Sequence, residues 1–190
     1  MIVSEFKTSE DEHGRRLSAI IQFEANPPRE SEIWVRLPMG TAMPATPGDA
    51  LLVFLALPSM VLGEGLAIGT PVSRELAAAE CDRVLPVMTR WFPRLQPLDL
   101  ECVLLPGAES KANSVASMFS GGIDSWRTLL EYQNEVTHLI HIRGFEINLE
   151  NEHGWEIAHA AARTVAKDFD KQILTVETKR RQVVIRRIRE

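Results

Sequence analysis

Residues 120–125 read Ser-Gly-Gly-Ile-Asp-Ser, and their types and spacing suit the binding of two linked phosphates. Gly121 and Gly122 lack a Cβ, so the backbone there can take left-handed angles and come close to a ligand. Before them runs an apolar stretch with Val115, Ala116, Met118 and Phe119. After them Trp126, Leu129 and Leu130 recur at i, i+3 and i+4, a helical stripe. A strand, a tight loop and a helix are therefore expected. The first amides of a helix have no partner inside it and point outward, and its dipole favours negative charge at that end. Ser120 and Ser125 add hydroxyl donors, and Asp124 adds a carboxylate. The competing explanation is an ordinary helix start after a Gly-Gly turn, with Asp124 or Ser125 as its N-cap.

The loop is not a Walker A loop, since no Lys follows the glycines. Nor is it a dinucleotide fingerprint, which requires Gly-x-Gly-x-x-Gly. It resembles the Ser-Gly-Gly-x-Asp-Ser signature of the PP-loop ATP pyrophosphatases at all six positions. That superfamily includes GMP synthetase, NAD synthetase, asparagine synthetase, the tRNA-thiolating enzymes and 7-cyano-7-deazaguanine synthase. The resemblance implies ATP and Mg²⁺ as cofactors, transfer of AMP to a carbonyl or carboxyl oxygen of an acceptor, and release of pyrophosphate. It places the backbone amides of Gly121, Gly122, Ile123 and Asp124 on the pyrophosphate, with the hydroxyls of Ser120 and Ser125 donating to it. Asp124 becomes the catalytic residue, orienting the loop or helping to hold the metal. The nucleoside half is expected near the end of the next strand, at Gly144 and Phe145, although a plain turn with a packing aromatic explains those two equally well. The resemblance selects no single member. The 7-cyano-7-deazaguanine synthases carry a C-terminal cysteine cluster for zinc that this chain lacks, and no general base can be named.

The chain has 190 residues, 45% hydrophobic and 25% charged, a soluble globular composition with room for one domain or two small ones. A net charge of −5 argues against a surface built for nucleic acid. The basic residues concentrate instead in residues 179–190, which we read as a solvated tail. tRNA is the less favoured partner, because that tail has no aromatic side chain to stack on bases. Cys81 and Cys102 lie far apart, so neither a disulfide framework nor a cysteine zinc site is expected. Glu5, Lys7 and Glu10 interrupt any secretory signal, and the longest apolar run, residues 51–57, is too short for a bilayer. A cytoplasmic protein without membrane spans is expected.

Two regions must position the loop. Residues 1–108 form an expected α+β domain of unknown role. Residues 17–24 and 32–37 read as strands that pair as a hairpin or meander, broken by Asn26-Pro27-Pro28. Residues 51–57 read as a buried strand, 66–68 as a short extended piece and 98–105 as a further strand. Ser73 caps a helix that turns Leu76, Ala77, Val84, Leu85 and Met88 inward, and Pro86 should kink or end it. Trp91, Phe92 and Leu95 make an apolar knuckle; Trp34, Trp91 and Trp155 are taken as core or boundary packing.

Residues 109–190 form the expected ATP-binding α/β domain. A helix from about residue 125 to 133, a strand at 136–143, a helix at about 155–169 and a strand at 172–177 predict a parallel, Rossmann-like sheet. Ile157, Ala161, Val165 and Phe169 are its expected buried helical stripe. All five histidines are taken as structural or exposed. Fewer than seventy residues follow Ser125, where the superfamily core has about five strands. The domain is therefore expected to be incomplete, with a second copy or a partner chain completing the sheet. The alternative to an adenylating ligase is a truncated or non-catalytic nucleotide-binding module.

Overall fold

A computed structural model of the chain describes residues 1–24, 29–42, 44–107 and 113–179. The Asn26-Pro27-Pro28 break, most of the segment around 108/109 and the tail beyond Lys179 lie outside the described residues.

The chain opens with an antiparallel meander, β1 (Ile2–Asp11), β2 (Gly14–Phe23) and β3 (Arg29–Leu37). Leu17, Ala19, Ile21 and Phe23 are buried at a spacing of two, as one covered face of a sheet requires. The cover is α1 (Gly48–Leu62), and this corrects the strand expected at 51–57. An apolar run has no period to distinguish the two states. The ends decide instead. The Asp49 carboxylate accepts from the Thr46 hydroxyl and from the Ser73 amide at 2.6 Å, and Gly63 closes the helix in the left-handed conformation. Buried Leu51, Leu52, Leu55, Ala56, Ser59 and Met60 form a stripe that passes Pro58 without a break.

Next come β4 (Leu66–Ser73), longer than expected, and α2 (Arg74–Ala79), with Ser73 at the N-cap position. A π-helical turn, Glu80–Val84, leads into α3 (Leu85–Trp91). Pro86 neither ends nor breaks the helix. The π turn, in which the Leu85 amide reaches back five residues to the Glu80 carbonyl, carries the chain through it. Ala77 and Leu85 face the core as expected, but Val84 points outward, and Trp91 and Phe92 are exposed rather than packed. β5 (Leu100–Leu105) follows. Then β6 (Val115–Met118), α4 (Ile123–Glu131), β7 (Val136–Arg143), α5 (Glu152–Asp168) and β8 (Gln172–Thr178) give the expected β/α alternation, with β6, β7 and β8 parallel.

The architecture is mixed α/β. Among the described residues eight strands share one sheet, in the order β5-β4-β1-β2-β3-β8-β7-β6. The halves meet at a narrow antiparallel seam, Val35 opposite Thr178 and Arg36 opposite Glu177, where Glu177 bridges Arg36 and Arg143. Each half keeps its own core. Strand register carries the side-chain alternation across the seam: Leu17, Val35 and Thr178 face α1, while Leu139 and His141 face the opposite side. There α4 and α5 supply Leu129, Ala162 and Ala166 to the second core. The stripe expected on α5 holds in part: Val165 and Phe169 pack partly buried against the second core, but Ala161 is exposed. Ile157 is exposed, and Trp155, Ala162 and Ala166 are buried. A strict i+4 line drifts by about 40° at each step, whereas burial alternates steps of three and four.

Candidate functional site

The strand–loop–helix built by residues 115–131 anchors its root firmly and leaves its tip free. Phe119, the last apolar residue of the run, is 3% exposed. Its amide donates to the Ile140 carbonyl at 2.8 Å, and its own carbonyl meets His141 Nδ1 at 2.8 Å. Its ring meets Trp126 edge-on at 5.4 Å, and Trp126 meets Phe169 in turn. Trp126 therefore packs.

Beyond this anchor the chain turns sharply into solvent. Gly121 has φ +83, and a Cβ added there would meet nothing within 4 Å. Gly122 is the N-cap residue of α4, extended at φ −75 and ψ 166. It has no side chain with which to cap, so the first-turn amides of Ile123, Asp124 and Ser125 have no side-chain partner from the N-cap position. Neither Asp124 nor Ser125 is the N-cap. The Ser125 hydroxyl donates to the Gly122 carbonyl at 2.7 Å, closing the turn. The Ser120 hydroxyl accepts a long bond, 3.4 Å, from the Gly122 amide. Both serines thus brace the loop, and Ser125 must release Gly122 before it can donate to a ligand.

Ser120, Asp124 and Ser125 of the loop border a cleft of about 400 Å³ at the carboxyl ends of β6 and β7, whereas Gly121, Gly122 and Ile123 do not line it. Ser120, Asp124, Ser125 and Thr128 line one wall, Phe145, Glu146 and Ile147 the other, and Met118, Ile140 and Ile142 the base. Carboxyl ends of parallel strands are where open α/β sheets place ligands. The structure brings Phe145, 42% exposed, to the same cleft as the loop. Gly144 does not line it. Its φ is +88, its amide donates to the Ile147 carbonyl, and a Cβ there would lie 1.9 Å from the Thr178 carbonyl oxygen. Turn and packing account for this glycine.

Among the described residues the lining includes two carboxylates, Asp124 and Glu146, and no Arg or Lys. Among the described residues no group of three or more His, Cys, Asp or Glu is placed to hold a metal. Burial pushes the thiols of both Cys81 and Cys102 up, away from the reactive thiolate. Glu146 and Thr128 were not assigned from the sequence. Thr128 was legible, since it lies one turn after Asp124 on the same helix face. Glu146 depends on the turn after β7. A stack of buried His141 and Trp155 with half-buried His159 was also missed, with ring centroids 4.7 and 4.9 Å apart, because it joins β7 to α5. His141 is 4% exposed and belongs to that scaffold.

Among the described residues no helix is long and apolar enough to cross a membrane. No family model, curated protein or solved structure matches the chain.

Proposed function

We propose that this protein binds ATP as its Mg²⁺ complex through the loop of residues 120–125. In this reading it is an ATP-dependent adenylating ligase of the PP-loop kind, which transfers AMP to a carbonyl or carboxyl oxygen of an acceptor and releases pyrophosphate. The observation that carries it is the helix start at Gly122, uncapped by any side chain, beside the unobstructed backbone of Gly121, in a loop whose Ser120, Asp124 and Ser125 line the cleft. Fixed amides aimed at a leaving pyrophosphate stabilise its charge without reorganisation. In this reading the amides of Ile123, Asp124 and Ser125, which have no side-chain cap, take that part, and Phe145, Ile140 and Ile142 offer apolar surface to a base. Mg²⁺ is commonly held by one or two carboxylates with phosphate oxygens supplying further ligands. Asp124 fits that part, with Glu146 as the second acidic group of the lining. When bound, the metal supplies charge neutralisation on the phosphates. The finer fold assignment, a PP-loop unit, is supported by three parallel strands with both crossover helices on one face and the loop after the first strand.

Calorimetry with Mg-ATP and with pyrophosphate is the first test, followed by ATP–pyrophosphate exchange with candidate acceptors. The expected result is saturable nucleotide uptake that pyrophosphate displaces. Well-folded protein that takes up neither ligand sinks the proposal. A second reading, a nucleotide-binding module without turnover, is favoured by the lack of an Arg or Lys in the lining among the described residues and by the engagement of His141 with Phe119. Binding without exchange across acceptor classes would select it.

A further inference from the structure

We infer that a second cleft, beside the seam between the two halves of the sheet, binds a small oxyanion, a phosphoryl or carboxylate group, through Arg36 and Arg143. β3 pairs with β8 over two residue pairs and ends at Leu37, and Pro38, with no N–H, cannot continue the ladder. The two strands part there. A cleft of about 610 Å³ opens, with Leu37 and Pro38 on the β3 side and Ile173 and Thr175 on the β8 side. That volume is within the roughly 300–1,000 Å³ of small-molecule sites. The cleft shares no lining residue with the one beside the Ser-Gly-Gly loop, so it stands apart from the ATP reading.

Strand register builds the site. Arg36 lies opposite Glu177, and Glu177 lies opposite Arg143, so the three side chains form one row across β3, β8 and β7 on one face of the sheet. The row reads positive, negative, positive. Glu177 divides its oxygens: Oε2 accepts from Arg36 at 3.1 Å and Oε1 from Arg143 at 3.3 Å. Thr175, two residues back along β8, adds a hydroxyl on the same face, and exposed His13 completes the lining. Each guanidinium lies over an indole. Arg36 is 5.8 Å from the Trp34 ring centre and Arg143 is 5.8 Å from that of Trp155, contacts that hold each fork in place.

The unspent side-chain capacity of this lining is dominated by donors. Both oxygens of Glu177 are engaged, and the Leu149 carbonyl takes one more donor of Arg143. The Nε–H of Arg36 and that of Arg143 are buried with no partner among the described residues. An unmatched buried donor calls for an acceptor from outside the protein's own groups. Charge points the same way, since the lining sets two guanidiniums against one carboxylate. The other acids at these arginines sit on the rim. Asp11 is 46% exposed and Glu152 is 80% exposed, and exposed pairs are weak enough for an oxyanion to displace. The arginine side chains are 21% and 19% exposed, so a ligand reaches them from solvent. Phosphate and carboxylate both match the flat fork of an arginine, and Leu37, Pro38 and Ile173 offer apolar walls to the carbon part of such a molecule.

The test uses the full chain carrying Gly122→Asp, which blocks the loop amides. It is titrated with inorganic phosphate and with acetate at constant ionic strength, read by calorimetry and by the fluorescence of the tryptophans beneath the two arginines. Two charge-assisted contacts place the dissociation constant at about 1 mM. Saturation by phosphate assigns the cleft to phosphoryl compounds and saturation by acetate alone to carboxylates; either supports the inference. Arg36→Gln and Arg143→Gln should each weaken uptake at least tenfold, with the fold checked by circular dichroism. Glu177→Gln should act in the opposite direction and tighten uptake at least threefold, a gain that damage to the fold cannot imitate. No saturation by either anion at about 10 mM, tenfold above the expected constant, would overturn the inference. So would uptake that both arginine variants leave unchanged, or a Glu177→Gln protein that binds no more tightly.

Discussion

Gly122→Asp should move stability and nucleotide affinity in opposite directions, which separates an anion site from a mere helix start. At φ −75 and ψ 166 the position suits any L residue, and an added Cβ would meet only the Ser120 hydroxyl, at 3.3 Å. That side chain can move. Replacing Gly at a compatible position gains ~0.4–1 kcal/mol by restricting the unfolded chain. An acid at a helix start gains ~0.3–1 kcal/mol from the dipole, and Asp is only a few tenths of a kcal/mol better than Gly as a cap. Repulsion from Asp124 in the first turn takes some of this back. The net expectation is about 1 kcal/mol of added stability, or a rise in Tm of about 2–4 °C for a chain of this size. The same carboxylate would occupy the amides assigned to pyrophosphate. At ~4 Å two unit charges repel by about 4 kcal/mol near a protein surface, before screening. Affinity for Mg-ATP should then fall at least tenfold, about 1.4 kcal/mol. Thermal denaturation and titration calorimetry on one preparation read both effects. Unchanged affinity in the stabilised variant would refute the assignment of those amides to phosphate, and a marked loss of stability would refute the cap geometry.

Two glycines with similar backbone angles should respond very differently to alanine. Gly144→Ala drives a Cβ against the Thr178 carbonyl oxygen and should cost about 3 kcal/mol or more in urea denaturation, whereas Gly121→Ala, with open space around it, should cost only the ~1–2 kcal/mol of a left-handed alanine. Because the lining, among the described residues, carries Asp124 and Glu146 and no Arg or Lys, chelating Mg²⁺ should weaken nucleotide binding at least tenfold, about 1.4 kcal/mol, and Asp124→Asn should shrink that metal dependence. Equal affinity with and without the metal, by calorimetry, would count against the site. Burial holds the His159 imidazole below the usual histidine range, and nearby His141 and Arg163 add to the effect. The unfolded chain therefore takes up this proton first. The contribution to stability is fully present above about pH 6.5 and is lost as pH falls from there through the lower folded-state value. His159→Phe should flatten the melting temperature over that window, and an unaltered slope would show that this stack does not titrate.

Local chemistry decided much of what could be read early. The Ser-Gly-Gly loop, its strand and its helix were legible because each signal lies within a few residues of the next: an apolar run, two glycines, a stripe of three. The same holds for β7 and β8, whose apolar runs end in Gly144 and Lys179. Residues 51–57 were misread because an unbroken apolar run carries no period, and the shorter of the two hydrogen bonds that fix Asp49 at the helix start comes from Ser73, a residue twenty-four positions away. Pro86 was expected to kink or end its helix, and the π turn that carries the chain up to it is invisible in composition. What only the tertiary structure decided is the assembly: that both halves share one sheet, that β3 meets β8, that Phe145 rather than Gly144 faces the cleft, and that His141, Trp155 and His159 stack. Those arrangements depend on contacts between residues distant in the chain, where register and burial are set by the whole sheet and no local preference can choose among the possible pairings.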